Sequence, residues 1–162
     1  MRWTSRCSRS PESVFIFAGI RRDEEFKDEL VKMLAVMRRR KIVDDWQDRR
    51  IEPGDDWNQA IDTAMNECDL ALLLVSPDYL NSDFIQEQEQ PIILQRREDT
   101  KTRVIPIIVR PCMWLSEPAL SGIQALPRDD KAVIKFSKDT GERDEVWTTI
   151  GREIEKRALD KL

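Results

Sequence analysis

The residues best placed to do chemistry fall between Asp69 and Glu89, in the run DLALLLVSPDYLNSDFIQEQE. Asp83, Glu87 and Glu89 are interleaved with Tyr79, Leu80, Phe84 and Ile85, an odd mixture for a surface helix. Carboxylates so placed can meet positive charge or hydroxyl groups, and an aromatic ring beside them can stack on a ligand. The unbroken apolar run Leu70-Ala71-Leu72-Leu73-Leu74-Val75 just before them reads as a strand buried on both faces, the centre of a parallel sheet. In open α/β sheets, ligands bind beyond the carboxyl ends of such strands. Ser76-Pro77 stops the strand and starts a helix: the serine hydroxyl can cap free N–H groups, and proline suits the first helical position.

Composition removes several kinds of chemistry. Histidine is absent from the 162 residues, which excludes His-based catalysis and most zinc sites. Cys7, Cys68 and Cys112 are scattered and odd in number, so they suit a reducing compartment better than a disulfide framework or a metal site. There is no Gly-Lys-Ser/Thr phosphate loop, and Gly19 stands alone where a dinucleotide fingerprint needs three spaced glycines. A phospho-accepting receiver needs acids at the ends of the first and third strands, which here read Phe17-Ala18 and Val75-Ser76. No nucleophile elbow is present. With Asp+Glu at 31 against Lys+Arg at 27, no basic excess exists to attract nucleic acid, and no apolar run is long enough to span a bilayer.

The elements that must position the carboxylates follow from pattern. Val14–Ala18 is the first buried strand. Asp23-Glu24-Glu25 places acids at a helix N-terminus, and Phe26, Leu30, Met33, Leu34 and Met37 follow at helical spacing. Arg38-Arg39-Arg40-Lys41 closes that helix, where cations complement the dipole. Ile42-Val43 opens a second strand running into Asp44-Asp45-Trp46. The long charged loop DWQDRRIEPGDDW turns at Pro53-Gly54 and lies between Trp46 and Trp57, either of which can be a core anchor. A helix from Trp57 ends near Cys68. Pro91 should kink or restart the helix after Glu89. Val104–Val109 is the fourth strand, with Pro106 suggesting a sheet edge or bulge. A short helix near Ala119–Ile123, a fifth strand over Ala132–Phe136 and an amphipathic helix over Asp144–Leu159 complete the chain. This alternation predicts an α/β domain: a flavodoxin-like, doubly wound, five-stranded parallel sheet in the order 2-1-3-4-5 with helices on both faces. Residues 1–12, rich in Arg and Ser, read as a disordered basic tail ahead of a domain spanning residues 13–160. The tail lacks the apolar core of a secretion signal, so the expected location is cytoplasmic.

Taken in order, VFIF, DWQDRRIEPGDDW, LALLLVSPDYLNSDF, Glu89 and VIPIIVRPCMW resemble a Toll/interleukin receptor (TIR) domain of the bacterial type, over about Ser13 to Leu159. The resemblance implies that residues 47–56 form the so-called BB loop. It further implies either of two functions. Many members hydrolyse NAD+ to nicotinamide and ADP-ribose or a cyclised product when TIR domains assemble, as immune or defence effectors. Others are non-enzymatic adaptors that associate through the same loop. The partners it implies are NAD+, as substrate rather than cofactor, and other TIR domains. Neither nucleic acid, membrane nor metal is expected.

The resemblance also assigns residues. Glu89, a few residues beyond Phe84, takes the catalytic carboxylate position. Breaking the bond to nicotinamide leaves positive charge on the ribose carbon, which a fixed carboxylate stabilises. Nicotinamide leaves readily, so no general acid is needed. Trp46 or Phe84 can stack on the nicotinamide ring, although Phe84 can equally be a core residue. Glu87 is the rival carboxylate, on a different helix face. Ser76 is a helix cap first and a ligand contact second. Arg49 and Arg50 can meet the pyrophosphate or a neighbouring subunit, and Arg50, Ile51, Pro53 and Gly54 belong to the assembly surface of the loop. Related enzymes carry polar residues after the first strand, lining the nucleotide pocket, where this chain has Phe17-Ala18-Gly19-Ile20. Phe17 and Ala18 therefore become pocket residues of a different character, and this departure favours the non-enzymatic alternative.

Overall fold

The computed structural model describes residues 12–18, 21–46, 57–99 and 101–160. Residues 1–11, with nearly all of the expected tail, and the loop 47–56, with Arg49, Arg50, Ile51, Pro53 and Gly54, lie outside the described residues. So do the side chains of Phe17, Ala18 and Trp46.

Strands β1 (Glu12–Ala18), β2 (Val43–Trp46), β3 (Leu70–Val75) and β4 (Arg103–Ile108) pair in parallel in the order β2-β1-β3-β4. Register is fixed by Val14 opposite Leu70 and Leu72 opposite Ile105. The helices are α1 (Glu24–Arg39), α2 (Trp57–Glu67), α3 (Pro77–Asn81), α4 (Gln90–Glu98), α5 (Pro118–Ser121) and α6 (Glu142–Leu159). The predicted order of the first four strands holds.

The uniform apolar composition of β3 is explained by its surroundings. Leu70, Leu72 and Leu74 face one core with Phe26, Leu30 and Leu34 of α1 and Trp147, Ile150 and Ile154 of α6. Ala71, Leu73 and Val75 face the other, with Met65, Tyr79, Ile85 and Ile93. Every β3 side chain is at most 1% exposed, and each buried leucine contributes about 1.5–3 kcal/mol. On the first face, Trp147 Nε1 donates to Glu29 Oε2 at 2.6 Å, tying α6 to α1. Among the described residues, no helix is long and apolar enough to cross a membrane.

The fifth strand predicted at Ala132–Phe136 is corrected. Among the described residues, Val133–Lys135 is a short 3-10 helix. The place beside β4 is taken by Leu126, which forms a single parallel bridge with Ile107. Its N–H donates to the Pro106 carbonyl and its carbonyl accepts from the Ile108 N–H, both at 2.8 Å. Pro127 follows and has no N–H to continue the ladder. By Ile134 the chain has passed the end of β4, where its N–H meets the Val109 carbonyl at 3.0 Å. With no edge left to pair against, the β-branched residues close on themselves. Pro106 does lie at the edge its composition suggested.

Candidate functional site at the carboxyl edge of the sheet

The ends of β1, β3 and β4 are neighbours, and each delivers a polar side chain to one buried cluster. Beyond β3, Ser76 sits in an extended conformation as the N-cap of α3, its Oγ accepting from the Tyr79 N–H at 3.0 Å. Its hydroxyl proton goes to Asp23 Oδ2 in a short hydrogen bond. Asp23 lies in the turn before α1 and is fully buried. Although it is an acid at a helix N-terminus, its carboxylate caps nothing there; it turns inward to Ser76 and to Arg110. Arg110, just past β4, donates from Nε to Asp23 Oδ1 at 3.0 Å and from its terminal nitrogen to Asp78 Oδ2. Burial works against the Arg110 charge, but the bonds from Asp23 and Asp78 outweigh it and hold the guanidinium above its usual value.

The carboxylates of the opening stretch are then sorted by a change of helix type. α3 ends at Ser82, and Ile85–Glu89 forms a π-helical turn before α4. Pro91 supplies the physical reason. It cannot donate to the carbonyl four residues back, and its ring crowds that carbonyl. The Gln90 N–H reaches instead to the Ile85 carbonyl, five residues back. Such turns recur at functional sites. Here the turn separates the rivals: Glu87 is exposed, whereas Glu89 is buried, only 9% exposed.

A ring of hydrogen bonds fastens this turn to α3. The Tyr79 hydroxyl donates to Gln90 Oε1 (3.1 Å), Gln90 Nε2 to Gln86 Oε1 (3.3 Å), and Gln86 Nε2 to the Tyr79 carbonyl (3.4 Å). Tyr79 is wholly buried. Burial pushes its phenol far up, and the negative charges of Glu89 and Glu117 push it further. Glu89 thus acts on a buried neighbour across the α3–α4 junction.

Phe84 is 49% exposed and is therefore a surface aromatic. Ser76 is fully buried with its proton committed to Asp23, which places it beneath the surface a ligand would touch. The structure brings Ser76, Phe84 and Glu89 to one edge of the sheet. Sequence reading missed the partnership of Asp23, Asp78 and Arg110. The available signal was that Asp23, Ser76 and Arg110 each follow closely on the end of an adjacent parallel strand. Cavities along β4 and against α6 are lined by neither Glu89 nor Phe84.

This strand order, with helices on both faces and polar residues gathered at the carboxyl edge, defines an open flavodoxin-like α/β domain. The sequence profile of the TIR domain family matches residues 16–149, and the chain belongs to that family. Its fold is similar to the crystal structure of the TIR domain of the Toll-related receptor TRR-2 from Hydra magnipapillata. The TM-score is 0.50 at 22% identity, over 87% of this chain and 96% of that one. An uncharacterised protein of Sinorhizobium fredii, y4lF, is 34% identical over 146 residues. The match takes in 90% of this chain and 43% of that protein, so the chain spans less than half the length of this curated relative. TIR domains generally serve signalling and interact with other TIR domains.

Proposed function

We propose that this chain is an NAD+ glycohydrolase that becomes active when TIR domains assemble, releasing nicotinamide and leaving ADP-ribose or its cyclised form. The observation that carries the reading is the sorting of carboxylates by the π-helical turn: Glu89 is withdrawn from water at the carboxyl edge while Glu87 stays in solvent. Burying a carboxylate is costly, and one placed beyond the carboxyl ends of the strands, where open α/β sheets bind ligands, acts where the dielectric is low. There it opposes the charge that develops on ribose as nicotinamide departs. The exposed ring of Phe84, five residues earlier on the same segment, offers a stacking face. Trp46, Phe17, Ala18 and Arg49 complete the proposed substrate site. Arg50, Ile51, Pro53 and Gly54 form the proposed contact with a neighbouring copy.

The test is nicotinamide release from NAD+ by concentrated protein, with Glu89→Ala beside it. Loss of one charge-stabilising group lowers turnover by about 10²–10³. Glu87→Ala should leave the rate close to the parent's. Equal loss in both variants, or undiminished turnover in Glu89→Ala, defeats the site assignment.

The apolar segment Phe17-Ala18-Gly19-Ile20 favours a second reading, a non-enzymatic self-association module. That reading expects concentration-dependent assembly, abolished by substitution of Pro53 or Gly54, and no nicotinamide release at any concentration.

A further inference from the structure

We propose that the cleft along the outer edge of β4 binds small organic polyphosphates, such as a nucleoside triphosphate, at a place distinct from the carboxyl-edge site. The cleft has a cavity volume of about 510 Å³, within the range of small-molecule sites. It lies toward the amino end of β4, whereas Glu89 follows the carboxyl end of β3.

Four arginines meet there from separate elements: Arg97 from α4, Arg103 from β4, Arg128 after the Leu126 bridge, and Arg157 from α6. Glu153 is the single carboxylate in the lining. Four guanidiniums against Glu153 in the lining and Glu12 just behind it, paired with Arg103, leave a net formal charge of +2, in a chain whose net charge is −4. Two of the four are already engaged: Arg128 pairs with Glu153 at 3.1 Å, and Arg103 with Glu12 at 3.3 Å. Arg97 and Arg157 make no ion pair among the described residues, so their forks are available to an incoming anion. Guanidiniums bind phosphate oxygens bidentately, and several set around one cavity suit a chain of phosphates better than a single charge. Ile105, Ile123 and Leu126 add an apolar floor, which favours an organic ligand over a bare inorganic anion.

A peptide adding a strand to β4 is the competing occupant, and the ladder argues against it. Pro106 has no N–H to give, while the Pro106 carbonyl and the Ile108 N–H are already spent on Leu126. Too little free edge remains to pair a strand.

Isothermal titration of the chain with ATP at low ionic strength tests this. Micromolar binding that weakens as salt is raised is expected. The double variant Arg97→Gln/Arg157→Gln should bind at least about tenfold more weakly, and inorganic tripolyphosphate should bind the parent more weakly than ATP. Arg22→Gln, in the exposed turn after β1 at the opposite, carboxyl edge of the sheet, should bind as the parent does. Should the double variant melt early, Arg128→Gln decides by the same criterion. The proposal is overturned if ATP produces no heat at millimolar concentration, or if the arginine variants bind ATP as tightly as the parent. It is equally overturned if a single-stranded oligonucleotide binds more tightly than ATP, which would make the cleft a nucleic-acid surface.

Discussion

Replacing Arg110 by methionine isolates the electrostatics of the carboxyl edge, because the apolar stem is kept while the charge is removed. The structure sets the size of the effect. The Asp23 arm is buried, with the carboxylate fully shielded and the Arg110 side chain 17% exposed. Removing the partner of a buried charge costs about 3–5 kcal/mol, mostly because the other charge is left desolvated. The Asp78 arm ends on a side chain 37% exposed, so solvent screening limits it to about 1 kcal/mol or less. Arg110→Met should therefore destabilise the fold by about 3–5 kcal/mol, and Asp78→Asn by less than about 1 kcal/mol. For a chain of this size each kcal/mol lowers Tm by about 2–4 °C, so Arg110→Met should melt about 10 °C early. Urea unfolding of the two single variants, of Asp23→Asn and of Asp23→Asn/Arg110→Met supplies a double-mutant cycle. Neutralising Asp23 should recover part of the Arg110→Met loss, because an uncompensated charge no longer remains inside. The account is refuted if Asp78→Asn costs more than Arg110→Met, or if the Asp23 and Arg110 substitutions simply add.

The remaining predictions concern neighbouring groups. Ser76→Ala removes a helix cap, about 1 kcal/mol, and deprives buried Asp23 of a donor, about 1–3 kcal/mol. Denaturant titration should thus show a larger loss than for Ser82→Ala, whose hydroxyl only accepts from the Ile85 N–H at 3.3 Å. Tyr79 is the chain's single tyrosine, so tyrosinate absorbance reports on it alone. Its folded-state pKa is raised by burial and by Glu89 and Glu117, so the protonated phenol supports the fold in full below its unfolded value of about 10. That support is lost as pH rises above this value. Tyrosinate absorbance should appear only together with unfolding, and Tyr79→Phe should remove this part of the alkaline instability. Titration of Tyr79 near pH 10 in a chain that stays folded would count against its burial.

What the sequence determined by itself is local. Six consecutive apolar residues closed by Ser76-Pro77 read as a strand covered on both sides, and β3 is that strand. The spacing of Phe26, Leu30 and Leu34 defines the buried stripe of α1, Ser76-Pro77 marks a cap, and Pro106 marks an edge. In each case the signal and its cause lie within a few residues of each other, because helix and strand periods are properties of the nearby backbone.

Tertiary structure decided the rest. Asp23 finds Ser76 fifty-three positions away and Arg110 eighty-seven away, through a strand order that no local pattern encodes. Val133 and Ile134 have the composition of a strand, yet Leu126 had already taken the place beside β4. Composition does not separate Glu87 from Glu89, and only the family resemblance ranked them; the π-helical turn at Pro91 leaves one in water and buries the other. A side chain's type limits what it can do, but the free energy of burying a charge or filling a sheet edge depends on what the fold has already put there.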